Sequence, residues 1–283
     1  MNVLTINMKC LIAILLSLLI AFGGNELAFA QNASETTSES PVINLTPEDL
    51  KQMEEWQNQA FTVTSKGDFA AAENYWTQIL EKFPDNPAAL SNRGNAKVSQ
   101  NKLESAIEDF NRAIEIAPNI TDPYLNRGTA LEGLGRWSDA IADYNRILDL
   151  DPDDAMAYNN RGNAYAGIGN WEEAIANYRK ATEIAPTFAI ARANYALALY
   201  EADEKDKAIR EMKNIVRRYP SFADVRAALS AVLWADGKQG EAESNWVSAY
   251  GLDYRYKDID WVKNIRRWPP SMVSALDKFL KLS

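Results

Sequence analysis

Apolar and small residues recur along this chain in two helical phases that repeat every 34 positions. With Pro87 as position 1 of a unit, positions 4, 8 and 11 share one helix face and positions 20, 24, 27 and 28 share another. Six units follow in register, at 53–86, 87–120, 121–154, 155–188, 189–222 and 223–256. Position 8 is Ala60, Gly94, Gly128, Gly162, Ala196 and Ser230, and position 20 is Ala72, Ala106, Ala140, Ala174, Ala208 and Ala242. Small side chains there let two helix axes approach toward the near end of the ~8–10 Å range. The larger residue at position 24 (Trp76, Phe110, Tyr144, Tyr178, Met212, Trp246) fills the space that is left. Between the helices stand the breakers Gly67, Asn101, Gly135, Gly169 and Gly237, and after the second helix Pro84, Pro118, Pro152, Pro186 or Pro220 ends it. The pattern predicts an all-α chain, an α-solenoid of six tandem helix pairs sharing one continuous core as a single elongated domain.

The flanks follow other rules. Residues 1–30 carry Lys9, an apolar run from Leu11 to Phe22, and Ala28-Phe29-Ala30 before Gln31, the pattern of a signal peptide. The run is shorter than the ~20 apolar residues a spanning helix needs, so an anchor formed by an uncleaved N-terminus is the alternative. After cleavage no stable membrane insertion is expected. Residues 31–45, rich in Ser, Thr and Glu, read as a flexible linker. Thr46-Pro47-Glu48-Asp49 reads as a helix start with Thr46 as N-cap. Residues 257–283 lie beyond the last unit, and Met272, Ala275, Leu276, Phe279 and Leu280 make an apolar stripe, read as part of a C-terminal capping extension.

These small and aromatic positions at a 34-residue period make residues 53–256 resemble the tetratricopeptide repeat (TPR) family. The resemblance implies a right-handed superhelix whose first helices line a concave surface used to bind another protein, mainly through positions 2, 5, 6, 9, 12 and 13. The end units depart from the pattern, with Tyr254 where proline belongs and Trp56 and Trp76 in place of the usual tyrosines. The layout of signal peptide, acidic body and Arg-Trp-Pro-Pro tail is also similar to lumenal TPR proteins of cyanobacteria and chloroplast thylakoids.

On that concave surface, position 6 is Asn58, Asn92, Asn126, Asn160 and Asn194, with Asn95 and Asn163 added at position 9. An amide can donate to a peptide carbonyl and accept from a peptide N–H, so such a ladder recognises extended backbone without reading sequence. First helices ~10 Å apart would meet a strand rising ~3.3 Å per residue about once every three residues, and hold roughly ten. TPR superhelices that clamp peptides through such asparagines match these five positions; the same asparagines also serve merely to solvate or cap the face. Tyr200 and Trp234 at position 12 form an apolar pocket for a ligand side chain, or are covered by the C-terminal extension. Arg93, Arg127 and Arg161 at position 7 reach ligand carboxylates, or pack their stems between helices with their heads on carbonyls or acids of the next unit.

Charge and missing chemistry narrow the function. The net charge of −9 argues against a nucleic-acid partner, and the groove positions hold Asp122, Glu132, Glu201 and Asp224 but no lysine or arginine, so the expected ligand is a neutral or basic extended segment of a protein or peptide. Histidine is absent and Cys10 is the only cysteine, which removes Ser-His-Asp and Cys-His catalysis and His or Cys metal sites. Asp149 to Asp154 starts like a calcium loop but lacks its glycine and its final glutamate. Gly162 and Gly167 have phosphate-loop spacing, yet Ile168 replaces the lysine inside a helical pattern. No catalytic residue, metal or cofactor is expected. The chain reads as a non-enzymatic scaffold or adaptor, exported to a periplasm or thylakoid lumen. The alternative is a structural subunit docked through its convex face and C-terminal extension.

Overall fold

A computed structural model describes residues 46–282; the expected signal peptide, Cys10 and the linker through residue 45 lie outside the described residues. Among the described residues the regular structure is entirely helical. The first helices of the six pairs are α1 (Pro47–Ser65), α3 (Pro87–Ser99), α5 (Thr121–Gly133), α7 (Ala155–Gly167), α9 (Ala189–Glu201) and α11 (Ala223–Ala235). The second helices are α2 (Phe69–Lys82), α4 (Leu103–Ile116), α6 (Trp137–Leu150), α8 (Trp171–Ile184), α10 (Lys205–Arg218) and α12 (Gln239–Leu252). A 3-10 turn at Tyr254–Lys257, a short α13 (Ile259–Asn264) and α14 (Pro270–Leu282) complete the chain. These helices form two compact units divided at Ala117 and Pro118.

The helices start and stop where side-chain chemistry dictates. Thr46 and Asp49 form a reciprocal capping box at α1, with Thr46 Oγ1 accepting from Asp49 N at 3.1 Å and Asp49 Oδ2 accepting from Thr46 N at 3.0 Å. Asp68, Asn86, Asp154 and Asn170 cap α2, α3, α7 and α8 through their side-chain oxygens. Position 15 has positive φ in all six repeats: Gly67 (78°), Asn101 (59°), Gly135 (73°), Gly169 (78°), Asp203 (62°) and Gly237 (76°). That left-handed residue turns the chain from first helix to second, and Gly, Asn and Asp are the residues that tolerate it.

Packing within a pair follows the small-against-large pattern. All six position-20 alanines are fully buried. A methyl group built on Gly94, Gly128 or Gly162 would lie 2.6 Å from the ring of Phe110, Tyr144 or Tyr178 respectively, so those rings occupy the volume a Cβ would need. In residues 46–117 the core gathers Met53, Trp76, Ile79, Phe83 and Leu90. In residues 118–282 the largest core joins α9 to α12 with the C-terminal residues Tyr256, Val262, Trp268, Met272, Leu276 and Phe279.

The C-terminal extension closes the last pairs from the first-helix side. Helix α14 packs on α11 and α9, both first helices. Phe279 meets the rings of Trp234 and Trp246, each at 5.4 Å. On α12, Val247, Tyr250 and Leu252 stay exposed.

Candidate functional site

In residues 46–117, Asn58 and Asn95 are exposed on their helices, and Asn92 turns back to donate from Nδ2 to Ala88 O at 2.9 Å. Arg93 forks onto Asp109, with Nε 2.9 Å from Oδ2 and Nη2 2.6 Å from Oδ1, and Lys97 lies 2.8 Å from the same carboxylate.

The arginine row is structural throughout. Arg127 repeats the fork onto Asp143 at 2.9 and 2.5 Å, and Arg161 donates to Asn177 Oδ1 at 2.7 Å and to Asn145 Oδ1 at 2.7 Å. The expected partner in the next unit is therefore corrected. Each arginine reaches residue i+16, on the second helix of its own pair, because a position-7 stem leans across the seam between the two helices. Burial pushes the Asp143 carboxyl up from its ordinary range, while the Arg127 hydrogen bond holds it down.

In residues 118–282 the groove asparagines converge. Asn194 donates from Nδ2 to Asn159 Oδ1 at 3.0 Å and to Asn163 Oδ1 at 3.2 Å. Asn163 Oδ1 also accepts from Tyr178 OH at 2.9 Å, and Asn159 donates to Asn160 Oδ1 at 3.0 Å. A carbonyl oxygen has two lone pairs and an amide nitrogen two protons. Asn163 thus spends its acceptor and keeps its NH2, while Asn194 spends its donors and keeps its carbonyl. Both side chains line one cavity of about 760 Å³ with Trp137, Trp171, Ile190 and Leu197. A fixed donor beside a fixed acceptor is the arrangement an extended peptide backbone complements. Asn126 stands half-buried on α5 and is not part of this network.

The other wall of the cavity is the chain's own tail, residues 263–270. Asp224 Oδ1 accepts from Tyr256 OH at 2.6 Å, Arg266 Nε at 3.0 Å and Trp268 Nε1 at 3.0 Å. Glu201 Oε2 accepts from Ser271 N at 2.7 Å. The Arg267 guanidinium lies 5.7 Å from the Trp137 ring centroid, and that ring in turn sits where a Cβ on Gly167 would be, 2.6 Å away. Glu132, 8% exposed, accepts from Tyr144 OH at 2.7 Å; burial pushes its carboxyl up to about 7, opposed by that hydrogen bond and by the Arg267 charge. Three of the four acids expected to favour a basic ligand therefore face basic or N–H groups of the tail or sit within reach of its charge. Tyr200 is buried in the core shared with α14 and Trp234 stacks edge-on with Phe279, so of the two readings of this pair, cover by the C-terminal extension is the arrangement found.

A tetratricopeptide repeat family model matches residues 65–119 and 125–187, and a second model of the same repeat matches 165–232. The chain belongs to the tetratricopeptide repeat family. It is a TPR scaffold built for protein interaction. It is 28% identical over 79 residues to a tetratricopeptide repeat protein 36 homolog of Nematostella vectensis, a match spanning 28% of this chain and 44% of that relative. Among solved structures, a TPR protein from Parabacteroides merdae aligns with TM-score 0.61 at 20% identity, over 82% of this chain and 99% of its own. TTC0263, a thermophilic TPR protein of Thermus thermophilus, aligns with TM-score 0.55 at 18% identity, over 64% and 99%. YrrB, a TPR protein with an unusual peptide-binding site, aligns with TM-score 0.51 at 15% identity, over 72% and 97%.

Sequence reasoning did not single out Asn159, Trp137, Trp171 or Arg266, and it named Arg267 and Trp268 only within the Arg-Trp-Pro-Pro tail. One signal was present: Trp137 and Trp171 occupy the same position, 17, of successive TPR units. The tail residues carry no periodic mark, since their place depends on contacts across 42 and 44 residues of chain.

Proposed function

We propose that this TPR protein is an exported, non-enzymatic scaffold or assembly factor that holds an extended, neutral or basic segment of a partner protein against the first-helix face of residues 118–282. The observation that carries the reading is the locked amide pair, in which Asn163 keeps its NH2 and Asn194 its carbonyl at one cavity wall. The hydrogen bonds among these amides fix their orientation before a ligand arrives, so little side-chain ordering is left to oppose binding. Of the four groove acids Asp122 stays exposed, and its charge favours basic over acidic ligands. YrrB, similar in fold, is a TPR protein with an unusual peptide-binding site, which supports a peptide as the class of ligand. Export rests on residues 1–30, with a periplasm or a thylakoid lumen as the destination.

The test is partner capture by the tagged mature chain in its own compartment. Asn194→Ala removes the free carbonyl of the pair and leaves the Tyr178–Asn163 hydrogen bond in place, and is expected to cut capture at unchanged helicity. Undiminished capture overturns the reading.

A second reading, a structural subunit docked through its outer face, draws on Val247 (73% exposed), Tyr250, Leu252 and Tyr254 around α12. Val247→Glu separates the two: loss of complex membership with peptide capture intact favours docking.

A further inference from the structure

We propose that Trp137, Gly167 and Glu132 form an arginine-binding site within this groove, filled at rest by Arg267, and that the partner segment brings an arginine of its own to replace it. The inference rests on the groove reading above and gives its ligand a chemistry. The site is a flat aromatic face with a carboxylate nearby, the surroundings that a guanidinium recognises by stacking and by a forked hydrogen bond. Gly167 makes it possible, because any Cβ there would meet the Trp137 ring at 2.6 Å and push the indole off α7.

Arg267 fills the site only halfway. Its guanidinium lies 5.7 Å from the Trp137 centroid, whereas Glu132 takes its one short contact from Tyr144 OH, and Arg267 forms no ion pair among the described residues. Its backbone sits at φ 52°, a left-handed conformation unfavourable for a residue with a side chain. The neighbouring Ile265 is 67% exposed. Lys263, Asn264, Ile265 and Arg267 are thus exposed, while Val262 and Trp268 are buried and Arg266 is tied to Asp224. An arginine arriving on a differently directed backbone can stack on Trp137 and also reach Glu132, which Arg267 does not.

A tethered residue competes at high effective concentration, so removing it must raise affinity for an outside ligand. The probe is a fluorescent synthetic peptide with the sequence of residues 263–270, added to the full mature chain. Arg267→Ala is expected to bind it at least tenfold more tightly than wild type. Arg267→Gly, which also relieves the positive φ, is expected to give the same gain, so a folding defect in one variant leaves the other to decide. Citrulline in place of both arginines of the probe, or Glu132→Gln added to Arg267→Ala, is expected to remove most of the gain. Equal affinity of wild type and both Arg267 variants, or a gain insensitive to citrulline, overturns the proposal. A gain in Arg267→Ala alongside undiminished partner capture by Asn194→Ala supports the arginine site and sinks the amide-groove reading. No gain alongside lost capture does the reverse.

Discussion

The indole N–H of Trp268 donates to Asp224 Oδ1 at 3.0 Å, joining the C-terminal tail to the first helix of the last repeat across 44 residues of chain. The same oxygen accepts from Tyr256 OH and Arg266 Nε, so one carboxylate holds three donors from the extension. Burial and the Asp224 charge push the Tyr256 phenol up, which keeps it a donor. Asp224→Ala leaves two buried donors without an acceptor, at ~1–3 kcal/mol each. The expected outcome is local opening of residues 256–270, seen as faster hydrogen exchange there with α5 to α8 unchanged. Uniform protection in the variant would show that packing alone holds the tail.

Tyr178 against Gly162 tests the packing of the TPR pair. Gly162→Ala would place a methyl carbon 2.6 Å from the Tyr178 ring, and Ala174→Leu would enlarge a side chain with no exposed surface. Each is expected to lower stability by ~1–3 kcal/mol through overpacking. Gly251→Ala on α12 meets nothing within 4 Å and is expected to be neutral or to gain up to ~1 kcal/mol of helix propensity. Denaturant melts read all three, and loss at Gly251 equal to that at Gly162 would contradict the model of close approach.

Glu132 makes stability depend on pH. Its folded pKa is raised to about 7 from a model-peptide value of 4.5, so between those values the folded state binds a proton the unfolded chain has lost. Stability therefore falls as pH rises through that window. Glu132→Gln keeps an acceptor for Tyr144 OH and removes the titration. The variant is expected to match wild type near pH 4.5 and to exceed it at pH 8, by on the order of 1–3 kcal/mol. A stability difference that stays constant from pH 4.5 to 8 would refute the assignment.

The repeat architecture was readable because it is local. Small residues at position 8, alanine at position 20 and a left-handed residue at position 15 each act within one 34-residue unit, and each predicted turn falls where Gly67, Asn101, Gly135, Gly169 and Gly237 stand. The arginine partners were nearly readable: Arg93, Arg127 and Arg161 stand 16 residues before Asp109, Asp143 and Asn177, a spacing that crosses one turn between two helices. The site was readable only in part. Asn160, Asn163 and Asn194 lie at repeat positions, but which amide protons remain free depends on Asn159 and Tyr178, whose orientations follow from packing. Of the tail, the apolar stripe of α14 was readable, but the contacts of Arg266, Arg267 and Trp268 were not, because those residues gain meaning only from residues brought close by the stacking of several pairs.

The arginine row should show graded costs. Arg127→Ala strands the Asp143 carboxylate, whose side chain is 5% exposed, and is expected to cost ~3–5 kcal/mol. Arg161→Ala leaves a neutral Asn177 and is expected to cost ~1–3 kcal/mol. Urea melts giving the opposite order would contradict the account of these pairs.

The most direct test of the groove places a photo-crosslinking residue at Ile190 or at Val247 of the tagged chain. Ile190 is 57% exposed at the cavity wall, and Val247 is 73% exposed on α12. The account predicts that one partner is captured in the native compartment from position 190, that Asn194→Ala abolishes this capture, and that position 247 yields none. Capture from 247 alone, or capture from 190 that survives Asn194→Ala, would contradict it.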